Sequence, residues 1–358
     1  MSIALAERDL PAVAHDATRG LAAVRAWLTV LCVLVVAMVL VGGATRLTGS
    51  GLSITEWRPV TGAIPPLSEA AWLAEFERYR AIDQYQLVNK GMSLADFRFI
   101  YWWEWGHRQL GRFLGLAFFV PFAAFWLRGQ VRGGLALKLL ALGALGGLQG
   151  AIGWIMVASG LKPGMTAVAP VKLMLHLTVA SLILAGLVWI ASGLRERARD
   201  AASRPLALGA TLLVPFMLVQ IALGGLVAGS KAGFTFNTWP LMDGRLVPDA
   251  ATLFVVTPWI ENFVDNVALV QFNHRLVAYA LVAFALWHAW RAWRLAPASG
   301  AARRARAVAG LTLAQAALGV ATLVLVVPLW AGLAHQGLAM IVLVMATAHA
   351  RITRAEAG

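Results

Sequence analysis

The chain is poor in three things. It has one cysteine, Cys32, in 358 residues. A lone thiol inside an apolar run excludes a disulfide framework and a cysteine-based metal site. Charged residues make up only 13% of the sequence, and acidic residues are the scarcer sign, 17 against 30 Lys and Arg. Long stretches carry almost no charge, which a soluble domain of this length would not tolerate. A cleavable-signal pattern is also missing, because the first apolar run is long enough to cross a bilayer.

What is present is apolar. Hydrophobic residues make up 60% of the chain, and the mean hydropathy is +0.73. Eight runs of about 20 residues fall near 25–43, 107–127, 135–157, 173–194, 206–228, 270–290, 307–327 and 332–350. The expected fold is therefore an all-α integral membrane protein with eight transmembrane helices in the lipid bilayer. Seventeen of the basic residues lie on one side of these spans, among them Arg8, Arg25, Arg132, Arg204, Arg304 and Arg351. The positive-inside rule then places both termini in the cytoplasm. It also accounts for the net charge of +13 without a nucleic-acid partner.

An internal repeat organises the rest. Gly42-Gly43, Gly51, Trp57, Gly62 and Pro66 return 182 residues later as Gly224-Gly225, Gly233, Trp239, Gly244 and Pro248. Gln149 and Gly153 return as Gln315 and Gly319. Four spans per copy is an even number, so both copies enter the membrane in the same sense, related by an axis along its normal. The expected organisation is a cytoplasmic tail (1–24), a four-helix bundle (25–195) with a long outer loop (44–106), a linker (196–205), a second bundle (206–350) and a short tail (351–358). The long loop should hold an amphipathic helix near Ser68–Arg80, with Trp72, Leu73 and Phe76 on one face. The glycine-rich third span favours close helix contact.

Four histidines follow the repeat. His107 and His176 in the first half match His274 and His335 in the second, all at the outer edge of the spans. Two imidazoles at one depth on facing helices can hold a haem iron from both sides. Small residues one turn further on (Gly111, Ala180, Ala278, Ala339) leave room for a porphyrin. Arg46, Arg108, Arg112 and Arg275 lie near the same edge and are candidate partners for propionates. Ionisable groups within spans are costly and usually functional, so the pattern points to two haem sites. His288 and His349, off the pattern and near the opposite ends, read as interfacial.

The halves differ at one position. Glu104 precedes His107 by three residues; Gln271 stands in its place before His274. Glu104 could exchange a proton in a partly dry pocket, or it could orient His107 or bind an arginine. The residues leave both open.

The run Gly42-Gly43-Ala44-Thr45-Arg46-Leu47-Thr48-Gly49-Ser50-Gly51-Leu52-Ser53, with Trp57, Pro59, Gly62 and Pro65-Pro66, resembles haem A synthase. So do Glu104-Trp105-Gly106-His107-Arg108 and Phe272-Asn273-His274-Arg275. The resemblance covers about 25–350, and the long first loop is similar to the proteobacterial and mitochondrial branch. It implies a bacterial inner-membrane enzyme that oxidises the C8 methyl of haem O to the formyl group of haem A, for haem-copper cytochrome oxidases. By matching positions, His107 and His176 would hold the substrate haem O, with Glu104 catalytic. His274 and His335 would ligate a haem b iron, with the haem sites toward the periplasm. Some bacterial relatives have a cysteine pair in the first outer loop; this chain has none there. The electron donor or acceptor is left unidentified. Contact with haem O synthase or oxidase assembly factors is an expectation of the pathway; a homo-oligomer is left open. Two rivals stand beside this reading. One is a di-haem cytochrome b-like electron carrier or quinol oxidoreductase, which has little need of Glu104. The other is a transporter, which would need polar groups at mid-membrane that the spans scarcely have.

Overall fold

The computed structural model describes residues 10–194 and 204–357, with side chains from residue 20 onward. The linker expected at 196–205 lies almost wholly outside the described residues. Among the described residues there are no strands; the chain is a sequence of helices. They are α1 (Leu10–Leu47), α2 (Glu69–Arg80), α3 (Asp83–Leu87), α4 (Leu94–Leu127), α5 (Gly133–Gly160), α6 (Pro170–Gly193), α7 (Arg204–Gly229), α8 (Ala250–Leu253), α9 (Asn262–Asp265), α10 (Val267–Leu295), α11 (Gly300–Val324) and α12 (Leu329–Ala357). Eight of them, α1, α4–α7 and α10–α12, are long and apolar enough to cross a membrane.

Several helices extend well beyond their apolar windows. α4 starts at Leu94, and its first three turns precede His107. A capping box explains the start. The Ser93 side chain accepts from the Asp96 backbone N–H, and the Asp96 carboxylate accepts from that of Ser93, so two end donors are satisfied reciprocally. Nothing between Ser93 and His107 breaks a helix, and the polar-aromatic run simply continues into the apolar one. His107 is thus an internal helix residue, held by backbone hydrogen bonds on both sides.

In the first half α1 packs on α4 and α6, and α5 packs on α6. In the second half α7 packs on α10 and α12, and α11 on α10 and α12. The halves meet where α6 lies against α7 and α12, and α1 against α12. A continuous apolar core runs through both, including Leu28, Leu31, Leu184, Leu213, Met340 and Leu343. One side differs. α10 and α11 lie along each other, whereas α4 and α5 touch over a short stretch. Only 6% of the most apolar window of α4, and of α5, is buried, against 33% for α10 and 22% for α11.

That difference corrects the expectation for the glycines of α5. Gly143 packs against Phe118 and Gly153 against His176, but Gly146, Gly147 and Gly150 have no atom outside their own helix within 4 Å of where a Cβ would stand. They face open space on the seam rather than a neighbouring helix.

The long loop forms a small aromatic cap. Ser68 caps α2, accepting from Ala71 N. Trp72, Phe76 and Tyr79, at helical spacing, are buried on α2 against Tyr85, Phe97 and Tyr101. Leu73, expected on this face, is 46% exposed, because the stripe is set by the larger rings at positions one turn apart. Tyr79 is fully buried; its hydroxyl donates to Gln84 Oε1 and accepts from Asn89 Nδ2. Burial pushes its phenol above the usual range.

Candidate functional site

Each of the four histidines lies against a glycine on a neighbouring helix. A Cβ added at Gly42 would come within 2.8 Å of His107 Cε1, and one at Gly153 within 2.9 Å of His176 Cε1. In the second half the distances are 3.3 Å from Gly224 to His274 and 2.7 Å from Gly319 to His335. The same ring atom therefore meets the same residue type four times. These glycines are small because an imidazole edge fills the space a methyl would need. The sequence repeat contained all four glycines, but not that each faces a histidine.

The histidines are paired within halves. His107 on α4 and His176 on α6 belong to one half, and His274 on α10 and His335 on α12 to the other. Among the described residues no group of three or more His, Cys, Asp or Glu side chains converges as an ion site would require. The donor set is two neutral-type nitrogen ligands per half. That chemistry fits a planar macrocycle that brings its own four equatorial ligands. Buried, unpartnered Nδ1 atoms on His107 and His176 add to the fit, since a built polar pocket leaves few such atoms without a purpose.

Glutamines touch three of the histidines, two of them beside the ring. Gln149 Nε2 donates to the His176 carbonyl at 2.8 Å. Gln220 Nε2 donates to the His274 carbonyl at 3.1 Å and lies 3.1 Å from its Nδ1. Gln315 Nε2 donates to the His335 carbonyl at 2.9 Å and lies 3.1 Å from its Nδ1. Each glutamine is four residues before the glycine that meets the same histidine. The fourth such position, before Gly42, is Met38.

Glu104 is 3% exposed. Its carboxylate accepts from Ser53 Oγ at 2.9 Å, from Ile54 N at 2.9 Å and from Arg108 Nη2. Gln271, its counterpart, is equally buried but works in reverse, donating through Nε2 to Ala232 and Thr235 carbonyls at 2.7 Å each and accepting from Arg275. Ser53 and Thr235 are repeat partners, as are Ile54 and Phe236. The loop after the first helix of each half is thus tied to the histidine helix, by a carboxylate in one half and an amide in the other.

The arginines named from sequence also hold loops. Arg108 donates to the Ile54 and Glu56 carbonyls, Arg112 to those of Arg58 and Pro59, and Arg275 to those of Phe236 and Leu241. Arg46 donates across the halves to the Ala228 carbonyl. Their donors are spent at least in part on backbone. A cavity of about 370 Å³ opens between the long loop and α4, lined by Ile54, Ile64 and Leu67 on one hand and by Arg58, Arg108 and Arg112 on the other.

His288 and His349, read as interfacial, are buried between helices and face each other. They are 2% and 1% exposed, and their Nε2 atoms lie 2.9 Å apart between α10 and α12. The Thr353 hydroxyl lies 3.2 Å from His349 Nδ1. Two polar rings buried near helix ends satisfy each other, which a reading of each residue alone misses.

Comparison with known proteins places this arrangement. The COX15-CtaA family, described as cytochrome oxidase assembly protein, matches residues 25–347. The chain is 67% identical over 342 residues to Heme A synthase of Methylobacterium sp. (strain 4-46), covering 96% of this chain and 95% of that protein. It is 64% identical to Heme A synthase of Methylorubrum extorquens (strain PA1) over 345 residues, 96% of this chain and 90% of the relative. Heme A synthase of Brucella anthropi is 51% identical over 331 residues, 92% of each chain. No solved structure matches.

Proposed function

The chain belongs to the COX15-CtaA family of cytochrome oxidase assembly proteins, and from that premise we propose that it makes haem A by oxidising the C8 methyl of haem O to a formyl group. Identity of 64–67% over nearly the whole chain to proteins named Heme A synthase supports haem A synthesis over a di-haem electron carrier. In this reading His107 and His176 hold the substrate haem O, in a half spanning 25–195. His274 and His335 hold a haem b in the half spanning 206–350. The observation that carries the assignment is the fourfold glycine–histidine contact, two in each half.

A bound haem supplies one-electron chemistry at iron. The chain supplies position. The histidines would hold the macrocycle, and the glycines make room for their imidazole edges. The seam between α4 and α5 supports the choice of the first half for the substrate. A molecule with an isoprenoid tail must come from lipid and return to it, and a bundle with one open side admits it without unpacking. Glu104 is the carboxylate nearest in sequence to a substrate ligand; its three donors hold it at the base of the long loop. We assign it to the proton exchange that methyl oxidation requires, in place of the neutral Gln271. Arg46, Arg108, Arg112 and Arg275 secure the loops over the sites, and any propionate would share donors already turned to carbonyls. The enzyme sits in the bacterial inner membrane with both termini in the cytoplasm and the histidines toward the periplasm, in keeping with the distribution of Lys and Arg.

The test is a haem extraction. The full chain is produced with a haem O synthase in a host lacking haem A, and the haems are resolved by chromatography and mass. Haem A or its hydroxylated precursor is expected with the native chain and is lost with Glu104→Ala and His274→Ala. Unchanged haem b and haem O alone, with an active electron donor present, would replace this reading with a di-haem electron carrier.

A further inference from the structure

We propose that Gln220 and Gln315 are positioning residues for the imidazoles of His274 and His335, that Gln149 holds His176 through its carbonyl, and that Met38 withholds either service from His107, leaving it the weak ligand of its pair. The inference rests on the haem-ligand assignment above and concerns how firmly each ligand is held.

The spacing is the first support. Gln149, Gln220 and Gln315 each stand one turn before a glycine, and that glycine meets the Cε1 edge of the histidine the glutamine touches. Met38 stands one turn before Gly42, which meets His107, and it aligns with Gln220 at the repeat offset of 182. It is the one member of the set that is not an amide. Its methyl reaches across to α4, 3.3 Å from where a Cβ on Gly111 would lie.

Unsatisfied atoms are the second support. Oε1 of Gln149, Gln220 and Gln315 is buried with no partner in all three cases, and so is Nδ1 of His107 and of His176. An imidazole that binds a metal through Nε2 carries its proton on Nδ1 and needs an acceptor there. An unliganded imidazole with an empty Nδ1 needs a donor. An amide side chain can supply either, Nε2 before the metal binds and Oε1 afterwards, by turning its terminal bond. A thioether donates nothing and accepts weakly. The second half has an amide nitrogen 3.1 Å from Nδ1 of both histidines. The first half has an amide on the carbonyl of His176 alone.

The consequence differs between halves. Two equally supported imidazoles make a site that keeps its haem. In the first half neither Nδ1 has a partner, and only His176 has an amide on its carbonyl, so that site would yield a ligand more readily than its twin, and from His107 first. That suits a half that must accept a haem, change it and let it go.

The experiment uses the full-length protein loaded with haem b and haem O, reduced, and titrated with carbon monoxide. Carbon monoxide binds ferrous haem only where an axial ligand yields. Protein carrying His335→Ala, whose second site is disrupted, identifies which spectral component belongs to which half. Native protein is expected to take up carbon monoxide at the first site and not at the second. Met38→Gln should lower that affinity about 10- to 100-fold, the usual scale for such supporting groups. Gln315→Leu should admit carbon monoxide to the second site and raise its reduction potential, because the ligand loses basicity. Gln315→Glu keeps an acceptor; it should exclude carbon monoxide again and lower the potential below native. Haem content, read by the pyridine haemochrome, separates loss of support from loss of fold. Unchanged carbon monoxide binding in Met38→Gln, or equal potentials in Gln315→Leu and Gln315→Glu, would overturn the inference. Full haem retention in both His274→Ala and His335→Ala would instead overturn the ligand assignment beneath it.

Discussion

The two halves share a plan and differ in how tightly they are closed. The C-terminal half is a ring in which α7, α10, α11 and α12 each lie along both neighbours, and both of its site histidines have an amide beside the ring. The N-terminal half opens between α4 and α5, has glycines facing empty space along that opening, and places a thioether where its twin has an amide. It also has a buried carboxylate, Glu104, where its twin has Gln271. A duplicated bundle can hold one copy as a permanent site and loosen the other for exchange. The lesson is that these departures from the repeat fall on the same half and in the same direction.

The largest expected effect comes from removing the charge difference. Glu104→Gln makes the first half like the second at that position. Turnover of haem O should fall about 10²- to 10⁴-fold, the range for losing a positioned acid or base, with haem content kept. Single-turnover conversion followed by extraction checks it. If turnover falls only a few-fold, Glu104 anchors the loop and no more.

A smaller effect tests the glycine cradle. Gly42→Ala puts a methyl 2.8 Å from His107 Cε1, while Gly224→Ala puts one 3.3 Å from His274 Cε1. The first should cost about 1–3 kcal/mol through overpacking. The second should be nearly neutral, since a helical Gly→Ala change returns up to about 1 kcal/mol. Thermal unfolding in detergent, with haem retention as the second readout, compares them. Equal effects would mean that the two cradles are equally tight, whatever the spacing.

The smallest is Ser53→Ala. It removes one of three donors to Glu104 and should cost about 1 kcal/mol, visible as a small fall in thermal stability. Thr235→Ala, its repeat partner, should be milder, because Gln271 accepts nothing from that hydroxyl: Thr235 offers Gln271 its backbone carbonyl.

Much of this was legible in sequence. The eight spans follow from hydropathy, and the four histidines stand out because they recur at matched depth. The start of α4 was not legible, since a hydropathy window cannot see a helix that begins in polar sequence; the Ser93–Asp96 capping box was the signal that could have found it. Leu73 stays out of the buried face because the stripe follows the larger rings of Trp72, Phe76 and Tyr79, the last fully buried. The glycines of α5 looked like helix contacts, and only packing reveals that three of them line an opening. His288 and His349 are 61 residues apart and follow no repeat, so nothing in sequence pairs them. The glutamines were half visible. Gln149 and Gln315 recur, but Gln220 and Met38 gain meaning only once each is seen one turn from a glycine that faces a histidine.

Two contacts between the halves join repeat-equivalent positions. Arg46 donates to the carbonyl of Ala228, 182 residues on, and the Ser181 hydroxyl lies 3.9 Å from the Met340 sulfur, 159 residues on. A position that touches its own counterpart lies on a two-fold axis, as in an isologous dimer. In a pair of identical chains such a position faces itself, so an arginine there would meet an arginine. Joining both copies in one chain lifts that restriction. Arg46 opposite Ala228, and Ser181 opposite Met340, are pairings no symmetric dimer could make, and the line between them is where this chain was freed to become two different halves.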